Sequence, residues 1–453
     1  MPKFFVYTFG CRCNQADSAA IRDGLCRNSM QETASQADAD LAIVNSCTVT
    51  HRTDQQVRQT VRKLHRQNPA ARIVITGCYA ERDPEALAAI PGVSLVVGNA
   101  DKENLPEIVG GNGLPDSRRI LRSPLDFARD YRLAPMSQTG GKTRPFVKLQ
   151  DGCDARCSYC IVPKVRGPAR SARPEDVVAE ISSLVQGGYQ EIVLTGVHLG
   201  AYGRKLEMPT SLTDLLRVIL AIPGLGIVRL SSIEPMRFER SIVPLAAGNP
   251  HFAPHFHIPL QSGSDRILRR MRRPYTASHF FGLLEFIQSA MPAAALGTDV
   301  MVGFPGETEE DFEATCDLIR RSPLAYLHVF PFSARPGTDA CSMPERVAPL
   351  VVRERARILR EISREKNLGF RRRFVGRMLP AVTLSKEEEM GDSVVLTENY
   401  IHARISDPGI TPNRLVTVRI DEVRPDATFA SLVGYPSITT MAIAECTACE
   451  RLT

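Results

Sequence analysis

The sequence predicts an α/β protein in three parts: an N-terminal parallel α/β domain, a central partial (βα)6 barrel and a small C-terminal all-β, OB-like barrel. Three observations carry this reading. Short apolar runs alternate with helical patterns between residues 3 and 110, and again from 143. A stretch rich in Gly, Pro, Ser and Arg separates the two blocks. After residue 376 the helical periodicity gives way to short β runs divided by turns. The implied units are 1–112, a linker over 113–142, 143–375, 376–437 and a tail over 438–453; the length of 453 residues suits about three domains.

In the first unit KFFVYTFGC, LAIVNSC, RIVITGC and SLVVG read as strands, and 14–29, 51–67, 83–90 and 101–110 as helices. Strands that alternate with helices imply a parallel sheet. In the second unit FVKLQ, EIVLTGV, GIVRLSS, HFHIPL, LGTDVMVGF and YLHVFPF are the strands, with helices over 174–187, 276–290 and 307–321. Catalytic groups of such a barrel stand at the carboxyl ends of its strands. Residues 345–375 read as one long charged helix. VGRMLPAVTL, VVLTEN, IHARIS, RLVTVRIDEV and FASLVGY are the β runs of the third unit.

Composition narrows the class. The chain is 43% hydrophobic, enough for several cores, and has no uncharged apolar run near the roughly 20 residues of a membrane span. MPKFFVYTFGC moves straight into a strand pattern, without an apolar signal segment, so a cytosolic protein is expected. There, 12 Cys point to metal or redox chemistry rather than a disulfide scaffold. The net charge of +6 is mild, so its distribution matters more than its size.

The sharpest local signal is GCDARCSYC, which sets Cys153, Cys157 and Cys160 at C-x3-C-x2-C spacing directly after a strand. Thiolates are soft ligands suited to iron–sulfur clusters or zinc. A closed zinc site needs a fourth ligand, and none stands in this loop, whereas three thiolates on a four-iron cluster leave one iron open. Tyr159 precedes the third Cys. A second set is distributed: Cys11, Cys47 and Cys78 each end a strand, and in a parallel sheet those ends share one edge. The alternative is three buried structural thiols, a common state of free Cys.

With FGCRCNQADS, NSCTVT, LQDGCDARCSYCIVPKVRG, LTGVHLGAYG, RLSSIEP, HFHIPLQSGSD, TDVMVGFPGETEEDF and FSARPGT, the chain resembles the radical-SAM methylthiotransferase family over about residues 3–436. NSCTVT, LTGVHLGAYG and RLSSIEP are most similar to the branch acting on threonylcarbamoyl-adenosine in tRNA. The resemblance implies an N-terminal methylthiotransferase domain, a radical-SAM core and a TRAM RNA-binding module. It implies two 4Fe-4S clusters, with S-adenosyl-L-methionine on the open iron held by Cys153, Cys157 and Cys160. There one electron would cleave the sulfonium to a 5′-deoxyadenosyl radical. The cluster on Cys11, Cys47 and Cys78 would carry the sulfur to be inserted, and a second S-adenosylmethionine the methyl group. The expected product is the 2-methylthio derivative of N6-threonylcarbamoyladenosine at tRNA position 37. Expected partners are the tRNA anticodon loop, an electron donor and a sulfur donor, with no membrane, and the chain is expected to be a monomer.

Supporting residues are Gly196, Gln261 and Ser262, which end strands and so would face the cofactor mouth, and Gly303 and Gly306 in VGFPGE, which by the same resemblance would line it. Ordinary turn chemistry is the alternative for each. His255 and His257 share one strand face and are read as packed or hydrogen-bonded rather than as metal ligands. Cys13 departs from the family pattern, and Cys446 and Cys449 in ECTACE have no counterpart in it.

RNA contacts are expected on the long helix. Residues 345–377 hold eleven Arg or Lys against four acidic side chains. Arg353, Arg357, Arg360 and Arg364 make one face, followed by Arg371, Arg372 and Arg373; a solvated face is the alternative. Residues 376–437 carry six basic and nine acidic side chains, so the β module is no basic patch. Its Tyr400 and His402 are candidates for base stacking, and Arg166, Arg170 and Arg173 are a second basic group. Competing functions are methylthiolation of isopentenyladenosine in tRNA or of a ribosomal-protein aspartate, and a non-enzymatic iron–sulfur RNA-binding protein.

Overall fold

The computed structural model describes residues 1–110, 119–125, 131, 133, 143–384, 393–406 and 409–435. Most of the expected linker and the whole expected tail, with Cys446 and Cys449, lie outside them. Among the described residues no helix is long and apolar enough to cross a membrane.

The N-terminal sheet has six parallel strands: β1 (Lys3–Thr8), β2 (Gln31–Glu32), β3 (Leu41–Ser46), β4 (Arg72–Gly77), β5 (Val93–Val97) and β6 (Arg119–Leu121), in the order β2-β1-β3-β4-β5-β6. All six residues of β3 are buried, as a central strand covered on both faces requires. One face packs Ile21, Leu25 and Leu105, the other Val57, Val61 and Leu64. Only the two edge strands escape the sequence pattern. β2 is two exposed residues, and β6 falls inside the expected linker, which is thereby corrected at 119–121. Neither edge has an apolar run to announce it. Strand order reverses between β1 and β3, and in open α/β sheets the crevice at such a switch point is the ligand site.

The central domain contains β7 (Phe146–Asp151), β8 (Arg170–Ser171), β9 (Glu191–Gly196), β10 (Ile227–Leu230), β11 (His255–His257), β12 (Ala295–Val302) and β13 (Tyr326–Pro331). β7, β9 and β10 are parallel neighbours, as are β11, β12 and β13; β8 is an antiparallel edge on β7. Isolated parallel bridges, Val228 with Phe252 and Ser232 with His257, join the halves into a six-stranded open barrel. Its outer face is apolar and packs helices through Phe280, Leu284 and Ile319. The long helix Pro349–Arg372 lies on β13 with Ala356, Leu359 and Ile362 buried.

The C-terminal strands β14 (Met378–Thr383), β15 (Ser393–Thr397), β16 (His402–Ile405), β17 (Leu415–Val423) and β18 (Thr428–Gly434) close into a barrel ordered β14-β15-β16-β18-β17. Closure leaves no free sheet edge. The fold class read from the sequence is the one observed. This barrel docks on the central domain through Arg229, which is fully buried, pairs with Glu191 at 2.7 Å and donates to the Glu398 carbonyl at 2.8 Å.

Candidate active site

The three dispersed cysteines follow three adjacent strands. β1, β3 and β4 run in register (Thr8 beside Asn45, Ser46 beside Gly77), so Cys11, Cys47 and Cys78 emerge at one sheet edge, at the switch point. Two glycines make the approach possible. Gly10 has φ +92° and a Cβ there would stand 2.7 Å from Cys47 Sγ; Gly77 has φ +94° and its Cβ would stand 2.3 Å from the Ser46 carbonyl oxygen. Hydrogen bonding with Cys13, with help from the Arg166 charge, holds the thiol of the exposed Cys11 down to about 5. Burial and the charges of Cys78 and Cys11 push Cys47 up to about 12. The three sulfurs therefore lie within electrostatic reach of one another.

Cys153, Cys157 and Cys160 occupy the loop after β7. Cys153 N donates to the Gly167 carbonyl at 3.0 Å, and Ser158 N to that of Met271 at 3.0 Å, which pins both sides of the loop. Donors face the sulfurs: Arg273 Nη1 lies 3.4 Å from Cys157 Sγ, Ala155 N 3.4 Å from Cys153 Sγ, and His198 Nδ1 3.6 Å from the latter. Arg273 is in turn ion-paired to Glu234. Burial pushes Cys153 up to about 11 and Cys160 up to about 12, so a metal's positive charge is what would hold them as thiolates. Among the described residues, the one group of three ligating side chains whose donor atoms all lie within 4.8 Å of each other is His257, Asp299 and His328. Neither cysteine triad is gathered that tightly.

A cavity of about 270 Å³ is lined by Cys153, Cys157 and Cys160 and by Val49 and Thr50, which stand two and three residues beyond Cys47; Cys11, Cys47 and Cys78 do not themselves line it. Arg335 secures the contact between the two domains: it is 2% exposed, donates to Thr48 Oγ1 at 3.0 Å and pairs with Asp54. Deeper in the same interface Arg166 bonds Asp151 at 2.7 Å and Asp17 at 3.1 Å, while Lys148 pairs with both carboxylates and Lys102 with Asp17. Three cations thus meet two carboxylates, and the surplus charge of Arg166 faces Cys78 and Cys11.

The supporting residues divide. Gln261 lines the cavity, with its backbone at φ +70° and its buried Oε1 without a protein partner. Ser262 is buried but accepts from Ser264 N at 3.2 Å, at the start of helix Asp265–Arg270 rather than on the cavity wall. A Cβ on Gly196 would stand 2.9 Å from Leu199 Cδ2, and the lining begins one residue later at Val197 and His198. Gly303 is pressed against Val352 of the long helix and Gly306 against Arg270 and Glu345; Met301, not these glycines, lines the cavity. His255 and His257 are hydrogen-bonded as read, His255 Nε2 lying 2.8 Å from Tyr326 Oη.

The arginine stripe also divides. Arg353, Arg360, Arg364 and Arg372 are exposed. Arg357 is held by Glu354 at 2.6 Å and Glu361 at 2.5 Å, and Arg373 donates to the Pro292 carbonyl at 2.6 Å. Arg371 is a correction: it is 8% exposed and bonds the carbonyls of Arg424, Pro425 and Ala427, stapling a barrel turn to the helix. Tyr400 is another, since its ring stacks on His255 at 4.1 Å instead of standing free for a base. His402 is exposed. Arg166 is 3% exposed and out of reach of RNA; Arg170 is half-buried and Arg173 exposed.

Sequence reasoning missed two features. Arg273 is one of five Arg between 266 and 273, with nothing in the sequence to single it out. A groove of about 360 Å³ shares Ala155, His198 and Met236 with the cavity and is rimmed by Arg156, Arg204, Lys205, Arg237 and Arg272, contributed by separate loops. Lys205 and Arg272 pair with Asp154 and Asp339; no carboxylate among the described residues lies within 4.0 Å of Arg156, Arg204 or Arg237.

Comparison with known proteins gives matches at both triads. Residues 3–98 match the model of the uncharacterized protein family UPF0004, and residues 147–319 that of the radical SAM superfamily. The threonylcarbamoyladenosine tRNA methylthiotransferase MtaB of Aquifex aeolicus is 35% identical over 396 residues, 87% of this chain and 94% of that one. A tRNA-2-methylthio-N(6)-dimethylallyladenosine synthase of Parafrankia sp. is 37% identical over 390 residues, covering 84% and 78%. Among solved structures, the radical S-adenosylmethionine methyltransferase TsrM of Kitasatospora setae, with cobalamin and a [4Fe-4S] cluster bound, aligns with a TM-score of 0.55 at 16% identity over 75% of this chain and 77% of its own. That last likeness concerns the fold alone.

Proposed function

This chain belongs to the radical-SAM methylthiotransferase family, and from that premise we propose that it converts N6-threonylcarbamoyladenosine at position 37 of tRNA to the 2-methylthio derivative. The observation that carries this reading is the shared cavity, into which the Cys153–Cys157–Cys160 loop and the segment beyond Cys47 both project. A reaction that opens a C–H bond and installs sulfur on the same carbon needs both centres within reach of one substrate atom.

In this reading Cys153, Cys157 and Cys160 hold one iron–sulfur cluster and Cys11, Cys47 and Cys78 a second. Bound at the first, a cluster with S-adenosylmethionine supplies one-electron cleavage of the sulfonium, chemistry beyond any acid–base side chain. The protein's part is binding, orientation and dryness. Arg273, fixed by Glu234 and by Tyr275 Oη at 2.9 Å, directs its N–H groups at Cys157. Tyr159 packs edge-on against Phe304 and, with Met301 and Phe330, gives the cavity an apolar wall that keeps water from a reactive species. Gln261 offers a polar tip at the same wall. The tRNA backbone is assigned to the basic groove beside the cavity, with Arg353, Arg360, Arg364 and Arg372 as outlying contacts. Adenosine in an anticodon loop needs only modest unstacking to enter.

NSCTVT, LTGVHLGAYG and RLSSIEP support the threonylcarbamoyl substrate, whereas the two relatives' near-equal identities do not separate it from the isopentenyl one. Mass spectrometry of tRNA nucleosides from a strain lacking this chain decides. The expected result is loss of the 2-methylthio derivative and accumulation of N6-threonylcarbamoyladenosine. Loss of the isopentenyl derivative instead, or of a methylthiolated ribosomal-protein aspartate, would overturn the substrate assignment while leaving the reaction class.

A further inference from the structure

The inner face of the open barrel carries a polar group that the cysteine chemistry does not use. His255 and His257 on β11, Asp299 on β12, and Tyr326 and His328 on β13 recur at every second residue and so share one face. Two residues further along β12 and β13, that face reaches Met301 and Phe330 of the cavity. Tyr326 Oη lies 2.8 Å from His255 Nε2, and Asp299 Oδ1 lies 3.0 Å from His257 Nε2 and 3.2 Å from His328 Nδ1. Tyr400 of the C-terminal barrel stacks on His255. One side chain of the N-terminal domain reaches this group: Arg12 Nη2 donates to Tyr400 Oη at 3.2 Å.

Arg12 differs in its partners from the cations that pair across or beside these interfaces. Arg229 has Glu191, Arg166 has Asp151 and Asp17, Arg273 has Glu234, and Lys148 has two carboxylates. Among the described residues no carboxylate lies within 4.0 Å of Arg12, which is half-buried and donates to one phenol. A guanidinium has five N–H donors in a fixed fork that matches a carboxylate, so most of its capacity is left for a ligand. The imidazole below Tyr400 does not compete as a charge, because burial and the Arg229 and Arg12 charges keep His255 far below its ordinary value.

We propose that Arg12, held by the Tyr400 hydroxyl, is a carboxylate subsite that binds the acid group of the threonylcarbamoyl substituent; this rests on the substrate reading above and deepens it. Arg12 directly follows Cys11, so the subsite adjoins the N-terminal triad. Carbon 2 and carbon 6 of adenine flank the same ring nitrogen. A nucleoside that presents carbon 2 to those sulfurs therefore sends its N6 substituent toward their neighbour. An isopentenyl group has no charge and would leave Arg12 half-buried and unpaired, which turns the residue into a filter against that substrate.

The test uses the iron-loaded full chain and two anticodon stem–loops, one bearing N6-threonylcarbamoyladenosine and one with its carboxylate as the methyl ester. Wild type is expected to favour the acid. Arg12→Gln should lower kcat/KM on the acid about ten- to a hundredfold, mainly through KM, and change the ester by less than about threefold. Arg12→Lys should restore part of the preference, and Tyr400→Phe should erode it less. Iron content and S-adenosylmethionine cleavage without RNA should stay as in wild type. Undiminished turnover of the acid by Arg12→Gln, or equal loss on acid and ester, overturns the subsite. If Arg12→Gln loses iron, the acid-to-ester ratios of wild type and Tyr400→Phe decide instead, and equal ratios overturn it. If wild type turns over neither stem–loop, the substrate reading fails by itself, and equal binding of acid and ester by wild type overturns the subsite.

Discussion

The two cysteine triads are built in opposite ways. Cys153, Cys157 and Cys160 lie within eight residues on a loop whose shape is set by its own hydrogen bonds, such as Cys160 N to the Cys157 carbonyl at 3.1 Å. Cys11, Cys47 and Cys78 span 68 residues and meet only because β1, β3 and β4 pair in one register. The loop triad is uniformly half-buried and faces a cavity; the dispersed triad is uneven, with Cys47 and Cys78 3% and 6% exposed but Cys11 open to solvent. A local motif can keep its geometry while its surroundings shift. A dispersed one is a property of the sheet, and a slip of one residue in β3 would turn every side chain over, carrying the cysteine with it.

The largest effect separates the two directly. Anaerobically reconstituted protein is expected to bind about eight irons, as two four-iron clusters. Changing Cys153, Cys157 and Cys160 to Ala should remove about half the iron and all S-adenosylmethionine cleavage. Next comes the dispersed set. Changing Cys11, Cys47 and Cys78 to Ala should remove the other half and abolish tRNA modification, yet leave cleavage measurable. Full iron retention in the second variant would show that the dispersed cysteines are structural thiols and that the comparison is false.

Legibility followed the same division. The loop triad was readable as a string. The dispersed triad became readable only once three apolar runs were taken as parallel strands, because then their ends had to share an edge. What the sequence concealed is long-range. Arg371 and Arg373 look like a continuation of the arginine stripe, and only the barrel turn at 424–428 explains why the first is buried. Gly303 and Gly306 look like a cofactor loop, but the long helix fills the space beside the first. Tyr400 looks like a free ring until His255, 145 residues earlier, is found beneath it. Edge strands β2 and β6 carry too few apolar residues to give a period. In each case the deciding partner is remote in sequence, and local pattern holds no information about it.

A third expected effect tests whether the dispersed site depends on its interface with the core. Arg166 is buried among Asp17 and Asp151, and its charge exceeds what those carboxylates need once Lys102 and Lys148 are present. Because the two lysines still balance the two carboxylates, Arg166→Met should cost only about 1–3 kcal/mol in the first unfolding transition, for the hydrogen bonds lost by Asn14, Asp17 and Asp151. It should also lower the iron held by the N-terminal triad, because negative thiolates lose the cation facing them. Iron at Cys153, Cys157 and Cys160 should stay. Equal loss from both triads would mean that Arg166 only holds the domains together.

The smallest expected effect concerns which sulfur of CRC belongs to the dispersed set. Cys11 sits at the N-cap of helix Arg12–Arg27, on the sheet edge; Cys13 lies one residue inside the helix, 3% exposed, with its sulfur 3.9 Å from Thr195 Oγ1 of β9. Cys13 is buried at the junction with the core barrel, whereas Cys11 is exposed at the edge where Cys47 and Cys78 end. Its role is that of a small buried group that donates a hydrogen bond to the Cys11 sulfur. Serine preserves that donor and nearly the same volume, so Cys13→Ser should leave iron content and S-adenosylmethionine cleavage within about 10% of wild type and cost about 1 kcal/mol or less in stability. Cys11→Ser, by contrast, should lose iron as the full triple variant does. If Cys13→Ser loses that iron and Cys11→Ser keeps it, the ligand is the buried sulfur. The dispersed triad then forms across the domain junction instead of along one sheet edge, and register alone no longer explains it.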